Sequence, residues 1–209
     1  LRTALYNYLY TKKTGGKFIL RIEDTDQSRQ IEGATPNLIS IFEKMNISFD
    51  EGPNQGGHVG PYLQSQRLKV YNEYINILLD NQTAYKCFCS KYRLDKMRSL
   101  QIKNKQLIKY DRYCLSLSTE EIEKNTKIKP HVIRMKIPTK QTVEFFDGVR
   151  DKISINANEL DDQILIKSDG YPTYHFANII DDYLMGVTHV IRGEEWLPST
   201  PKHVLLYNF

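Results

Sequence analysis

The stretch ILIKSDGYPTYHFANIIDDYLMGVTHVIRGEEW, residues 164–196, decides how the rest of the chain is read. It opens on a short hydrophobic strand and turns at Gly170-Tyr171-Pro172. An apolar run follows, then a second strand, VTHVI, that ends in Arg192-Gly193-Glu194-Glu195. Charged groups just past the end of a buried strand are where open α/β sheets place their ligand chemistry. Such a placement marks a site without saying which. Tyr174, His175 and Phe176 fit an apolar strand, with Phe176 as core and His175 and His189 as structural or supporting groups.

Upstream of that stretch the pattern changes. HVIRMKI (131–137) and residues 142–146 alternate as strands, Asp147-Gly148 signals a hairpin, and a further strand is expected near Ile153. Ser118 and Glu121 form a capping box for a short helix. Residues 86–112 carry nine Lys or Arg against two Asp. A basic excess of this size is usually a solvated helix face, with contact to an RNA backbone as the alternative. Short antiparallel strands beside a basic helix read as a separate module, residues 81–172, inserted between two α/β parts, 1–80 and 173–209. Cys87, Cys89 and Cys114 could supply three of the four tetrahedral positions of a zinc ion. Only Tyr110, Tyr113 and Ser116 lie near Cys114 to complete the set, and three thiols without a fourth soft ligand also occur without metal.

At the front of the chain, Leu1, Ala4, Leu5, Tyr8 and Leu9 share a helical face, closed by Gly15-Gly16. KFILRI (17–22) is short, apolar and expected as a parallel strand, discharging into Glu23, Asp24 and Asp26. Those carboxylates read either as a turn in which Asp24 or Asp26 caps the next helix, or as holders of a ligand cation. A helix is expected from about Glu32 to Met45 and a second from Ser65 to Asp80. The second has Leu68, Tyr71, Ile75, Leu78 and Leu79 inward. Between them, residues 46–54 read as a short strand leading into a loop. Gly56, Gly57 and Gly60 lack the order of a phosphate-binding loop. This alternation favours an α/β fold.

Bulk properties agree. With 209 residues, 40% hydrophobic and 26% charged, the chain can bury a substantial core. A net charge of +4 does not by itself mark a nucleic-acid binder. No apolar run approaches the roughly 18 residues that span a bilayer. Three cysteines are too few for a disulfide framework. Leu1 and Phe209 both fall inside apolar helical patterns, so the sequence is expected to be a fragment.

Together, RIEDTD (21–26), DEGP (50–53), GPYLQSQR (60–67) and KSDGYPTYHFANIIDDYLMGVTHVIRGEEWLPSTPKH (167–203) resemble the catalytic half of the bacterial and organellar glutamyl-tRNA synthetases, class I aminoacyl-tRNA synthetases. The resemblance covers nearly the whole chain and is weakest between about 91 and 130. It implies a Rossmann-like nucleotide-binding domain, split by an α+β insertion that receives the tRNA acceptor end. It also implies ATP-dependent activation of L-glutamate and transfer to the 3′ end of tRNA-Glu. Charging of tRNA-Gln is left open, because that choice is read largely by an anticodon-binding domain. The implied ligands are glutamate and ATP with Mg²⁺, in a monomer with no membrane partner. The organelle-like match and a Lys-, Asn-, Ile- and Tyr-heavy composition point to the mitochondrion, with the bacterial cytoplasm as alternative.

Residue by residue, the resemblance gives Glu23 the substrate's α-ammonium and Arg192 its side-chain carboxylate. Tyr174, His175, Phe176, Ala177 and Asn178 become the pocket wall, and Glu195 lies on the ATP side. Cys87, Cys89 and Cys114 match the zinc-bearing members, with Ser116 standing where some of those carry histidine. A guanidinium can pair both oxygens of a carboxylate, whereas glutamine offers one acceptor and an unwelcome donor. The competing reading of Arg192 is a salt bridge to Glu194 or Glu195. No activated nucleophile is expected, because the substrate's own carboxylate attacks. The ATP signature and the lysine-bearing loop of the family fall outside these residues, so residues 1–209 alone are expected to be inactive. The rival readings are the paralogue that glutamylates a modified base of tRNA-Asp, glutaminyl-tRNA synthetase, and a non-catalytic tRNA-binding descendant.

Overall fold

The computed structural model describes residues 1–26, 29 and 31–209. It is an α/β molecule built around helices α1 (Arg2–Thr14), α2 (Ala34–Lys44), α3 (Leu68–Asp80), α4 (Lys91–Lys103), α5 (Thr119–Ile128), α6 (Tyr174–Leu184) and α7 (Thr200–Asn208). Strands β1 (Ala84–Cys87), β2 (Val132–Met135) and β5 (Ile164–Ile166) form an antiparallel sheet in the order β1-β2-β5. Strands β3 (Thr142–Asp147) and β4 (Asp151–Asn156) pair as a hairpin. Asp147 makes its turn by accepting the amides of Val149 and Arg150, each at 2.9 Å. No helix among the described residues is long and apolar enough to cross a membrane.

Local chemistry sets several boundaries. Gly15 closes α1 in the left-handed region, φ 69°, where a Cβ would be strained. Ser118 and Glu121 form the reciprocal capping box of α5. In α3 the face Tyr71, Ile75, Leu78 is buried, while Leu68 and Leu79 pack against the same core.

Residues 17–22 are extended and make parallel bridges, Ile19 with Glu51 and Ile22 with Leu63. The amides of Leu20 and Ile22 donate to Glu51 O (2.9 Å) and Tyr62 O (2.8 Å) along one edge of the segment. Asp24 accepts from the Ser65 amide (2.8 Å) and hydroxyl (2.6 Å), ahead of α3, while residues 27, 28 and 30, on which the expected cap falls, lie outside the described residues. Asp26 pairs with Arg29 at 2.5 Å.

Residues 46–54, expected as a strand, make only the isolated bridges of Glu51 with Ile19 and Gly52 with Gly56. Three further expectations fail for identifiable reasons. Leu1, Leu5 and Leu9 are exposed, whereas Ala4 and Tyr8 join Phe18 and Leu20 against the core of Ile39, Phe42, Ile47 and Phe49. The apolar arc of α1 is wider than the one layer beneath it can cover. Tyr174, His175 and Phe176 open helix α6 instead of lying on a strand. The Gly-Tyr-Pro turn comes early enough for Thr173 to serve as N-cap, and eleven residues of 3.6-fold pattern follow. Residues 187–192 form no strand. A ladder needs a neighbouring edge, and across from this segment stands a cleft of about 810 Å³ whose far wall is residues 16–21.

One apolar core runs from Tyr71 and Ile75 through Met135 and Leu165 to Phe176, Ile180 and Leu205. Helix α6 crosses it with seven buried residues, two of them Asp181 and Asp182. Buried carboxylates survive only when paired. Asp181, fully buried, accepts from Arg67 Nε (2.7 Å), Gln64 Nε2 (2.8 Å) and Tyr71 Oη (2.8 Å). Asp182 accepts from Arg21 Nη1 (2.8 Å), which ties α6 to the 17–22 segment. Asp162 plays the same part beyond the sheet, accepting from Tyr85 Oη, Arg112 Nη2 and the Ile137 amide at 2.7–3.0 Å.

Candidate active site

A cavity of about 520 Å³ opens where the 17–23 segment, the first turns of α6 and residues 190–196 converge. Glu23, Tyr174, Asn178, Arg192 and Glu195 all line it. These are the members of the expected pocket that the fold brings together. Phe176 and Ala177 are fully buried in the apolar core on the other side of α6 and do not line it. Helical geometry explains the split, because positions 174 and 178 share a face while 176 and 177 point away from it. His175 lies behind the wall, against Trp196 and His203.

One end of the cavity is acidic. Arg21 lies among Asp182 (2.8 Å), Glu23 (3.6 Å) and Asp181 (3.7 Å), and also donates to Asn178 Oδ1. Arg21 faces the carboxylates of Glu23, Asp181 and Asp182, and Arg67 pairs with Asp181, so this end holds three carboxylates against two guanidinium groups, with Glu23 the partly exposed member. Burial alone would depress the Arg21 guanidinium, but Asp182 and Asp181 outweigh it and hold its pKa above the ordinary value. Burial raises Glu23 above the usual carboxylate value against the pull of Arg21, and Asp182 is raised in the same way. A cation placed between Glu23 and Asp182 would relieve both.

The other end is basic. Arg192 forms no salt bridge among the described residues. Glu194 instead pairs with Arg150 at 2.7 Å, which removes half of the competing reading, and Glu195 turns its carboxylate over Gly193. A Cβ on Gly193 would fall 2.2 Å from Glu195 Oε2, so a larger residue there would push that carboxylate aside. The guanidinium of Arg192 sits 5.5 Å from the Tyr174 ring centroid, 5.6 Å from that of Trp196 and 3.3 Å from His203 Nδ1. The cavity thus offers an acidic end and an uncommitted guanidinium within electrostatic reach of it. It suits a zwitterion that carries an ammonium and a distal carboxylate.

Sequence reasoning passed over Arg21, Asp182 and His203. Two signals were available. Arg21 and Glu23 are two apart on an extended segment and so share a side. Consecutive aspartates inside an apolar helix demand cationic partners. His203 left no local signal, because its partners come from 11 and 28 residues away in sequence.

A second cluster lies at the head of the basic helix. The Sγ atoms of Cys87, Cys89 and Cys114 all lie within 4.8 Å of one another, with Cys89 and Cys114 3.6 Å apart. Tyr110 Oη is 3.2 Å from Cys89 Sγ and accepts from the Cys114 amide at 3.0 Å. Ser116 turns away, donating to Tyr113 O at 2.8 Å, and Tyr113 is exposed beneath Arg93. Zinc–sulfur bonds of about 2.3 Å put tetrahedral sulfurs roughly 3.8 Å apart. The three thiols and the Tyr110 phenol therefore fit a zinc ion after a small contraction. The hydrogen bond from Cys114 holds the Cys87 thiol below its ordinary pKa, and Cys114 is raised in return.

The family model for class I tRNA synthetases (E and Q), catalytic domain, matches residues 1–209. The glutamate–tRNA ligase of Clostridioides difficile is 54% identical over 216 residues, covering 99% of this chain and 44% of the relative. That of Clostridium kluyveri is 53% identical over 209 residues, covering 100% and 43%. Among solved structures, a glutamate tRNA ligase from Elizabethkingia meningosepticum, in complex with its amino acid, aligns with TM-score 0.93 at 44% identity. The glutamate-tRNA synthetase of Elizabethkingia anophelis aligns at 0.94, also with 44% identity. Each alignment covers 99% of this chain and 43% of the neighbour. The chain spans less than half the length of these relatives. Matched along its full length and sharing about half its residues with such relatives, the chain belongs to the class I (E and Q) tRNA synthetases, as their catalytic domain.

Proposed function

We propose that these residues are the amino-acid-selecting part of a glutamate–tRNA ligase. The observation that supports this most is the charge layout of the cavity, acidic at Glu23 and Asp182 and basic at Arg192. In this reading the substrate ammonium settles at the acidic end and completes its charge balance. The side-chain carboxylate meets Arg192, and Tyr174 and Asn178 wall the space between. An oxygen of the α-carboxylate then attacks the α-phosphorus of ATP, a P–O bond breaks and pyrophosphate leaves. A hydroxyl of the terminal tRNA ribose next displaces AMP from the acyl carbon. The enzyme contributes placement and charge rather than a nucleophile of its own. Mg²⁺ accompanies ATP and offsets its phosphate charge.

The same proposal gives the 81–172 module to the tRNA acceptor end. Its support is α4, which buries no residue and carries Lys91, Lys96, Arg98 and Lys103 on a solvated surface, with Arg93 half-buried and paired to Asp111. Zinc at Cys87, Cys89, Cys114 and Tyr110 would pin the start of that helix to β1. Zinc is a structural element in this reading and takes no part in the reaction.

Charging assays with radiolabelled glutamate on purified tRNAs, using the full-length protein that carries these residues, test the function. Acceptance by tRNA-Glu is the expected result, and parallel lanes with tRNA-Gln measure the breadth of specificity. Label appearing only on the modified base of tRNA-Asp would transfer the chain to the paralogue. No labelling of any tRNA would leave a tRNA-binding descendant as the better account.

A further inference from the structure

His203 is buried near the start of α7, with Arg192 on one side of its ring and His175 on the other. Arg192 Nη1 lies 3.3 Å from Nδ1, and His175 Nδ1 lies 2.9 Å from Nε2. A guanidinium has donors only, so Nδ1 of His203 must be the acceptor. The ring proton then sits on Nε2 and is donated to His175 Nδ1. Both imidazoles are therefore neutral and the chain of hydrogen bonds has one direction, Arg192 to His203 to His175. Burial agrees, lowering the pKa of His203 to about 3 and that of His175 to about 4.

Among the described residues, the hydrogen-bond and ring partners of the Arg192 guanidinium are uncharged: this imidazole and the faces of Tyr174 and Trp196. A carboxylate in the place of His203 would hold the guanidinium as firmly but would neutralise it. A neutral acceptor fixes its direction and leaves its charge available. We propose that His203 is a positioning residue for substrate selection, a neutral acceptor that aims Arg192 at the carboxylate of the incoming amino acid without competing for it. The inference rests on the reading of the cavity as a glutamate pocket.

Three substitutions in the full-length protein separate aiming from mere support. His203→Leu removes the acceptor, His203→Asn keeps one near the position of Nδ1, and His203→Asp supplies a charged one. Glutamate-dependent ATP–pyrophosphate exchange, run with and without tRNA, gives kcat and the KM values for glutamate and ATP, and thermal melting reports folding. His203→Leu and His203→Asp should each raise the glutamate KM about tenfold, the scale of one charge-assisted hydrogen bond. Their kcat and ATP KM should stay within about twofold, the loss being confined to substrate binding. His203→Asn should stay near the parent, and His203→Asp should melt no lower than His203→Leu.

A parental glutamate KM in His203→Asp would overturn the inference, because a charged partner would then serve as well as a neutral one. So would a joint fall of kcat and all affinities in the three variants, including His203→Asn. If His203→Leu does not fold, the Asn and Asp variants decide by the same criteria. Absence of glutamate-dependent exchange in the parent would instead remove the underlying reading of the pocket.

Discussion

Glu23→Gln is the perturbation for which the structure gives opposite answers for stability and binding. The Glu23 side chain is 39% exposed and its contact with Arg21 is long, 3.6 Å. A pair of that kind contributes about 0–1 kcal/mol to folding. In a chain of this size such a loss moves Tm by about 4 °C at most. Binding is another matter. The acidic end of the cavity has one carboxylate more than it has guanidinium groups, and the substrate ammonium is the charge that completes it. A hydrogen bond to a charged partner is worth about 1.5–3 kcal/mol. Glutamine still offers an acceptor oxygen, so the lower figure applies, which is about tenfold in affinity. Glutarate, which has both carboxylates and no ammonium, supplies the control. Removing the Glu23 charge should weaken glutamate about tenfold and leave glutarate unchanged or bound more tightly, because a like charge has gone. Calorimetric titration of both ligands into parent and variant measures this directly. Equal weakening of the two ligands would refute the reasoning, since it would show disorder of the site rather than loss of an ammonium partner.

Other consequences can be measured on the same preparations. Asp181→Asn leaves Arg67 buried without its counter-charge, so it should cost about 3–5 kcal/mol in denaturant unfolding. Tyr71→Phe, which removes one donor to the same carboxylate, should cost distinctly less. For His203 and His175 the folded-state pKa lies below the unfolded value of 6.5, so the unfolded chain binds protons first. Their contribution to stability is complete above about pH 6.5 and is lost as pH falls towards 4 and then 3. His203→Asn should flatten that part of the melting-temperature profile. Zinc analysis of protein purified without chelator should give one equivalent, and Tyr110→Phe should weaken retention against a competing chelator. Equal retention by Tyr110→Phe would show that the phenol is not a ligand.

Much of the architecture could be read from residues that act locally. The capping box at Ser118 and Glu121, the glycine that ends α1, the Asp147 turn and the buried face of α3 each depend on neighbours within a few positions. What could not be read depends on partners far along the chain. Whether Leu5 or Tyr8 faces inward on α1 is decided by the core of Ile39, Phe42, Ile47 and Phe49, which takes up Ala4 and Tyr8 and leaves Leu5 exposed. Whether VTHVI pairs is decided by the edge available across the cleft, not by its β-branched residues. Position 174 was legible as part of a site, yet its helical start fixes which of its neighbours can share the cavity. Tyr174 and Asn178 do, and Phe176 and Ala177 do not. Arg21 and His203 became visible only when segments about 160 and 11 residues apart were placed against Asp182 and Arg192.

The central claim is that an uncommitted Arg192 selects a carboxylate-bearing amino acid, and glutamate-dependent ATP–pyrophosphate exchange in the full-length protein, with and without tRNA, tests it most directly. The account predicts exchange with glutamate, little with glutamine, and loss of the glutamate signal in Arg192→Ala at an unchanged melting temperature. Equal exchange with the two amino acids, or a glutamate signal that survives Arg192→Ala, would contradict it.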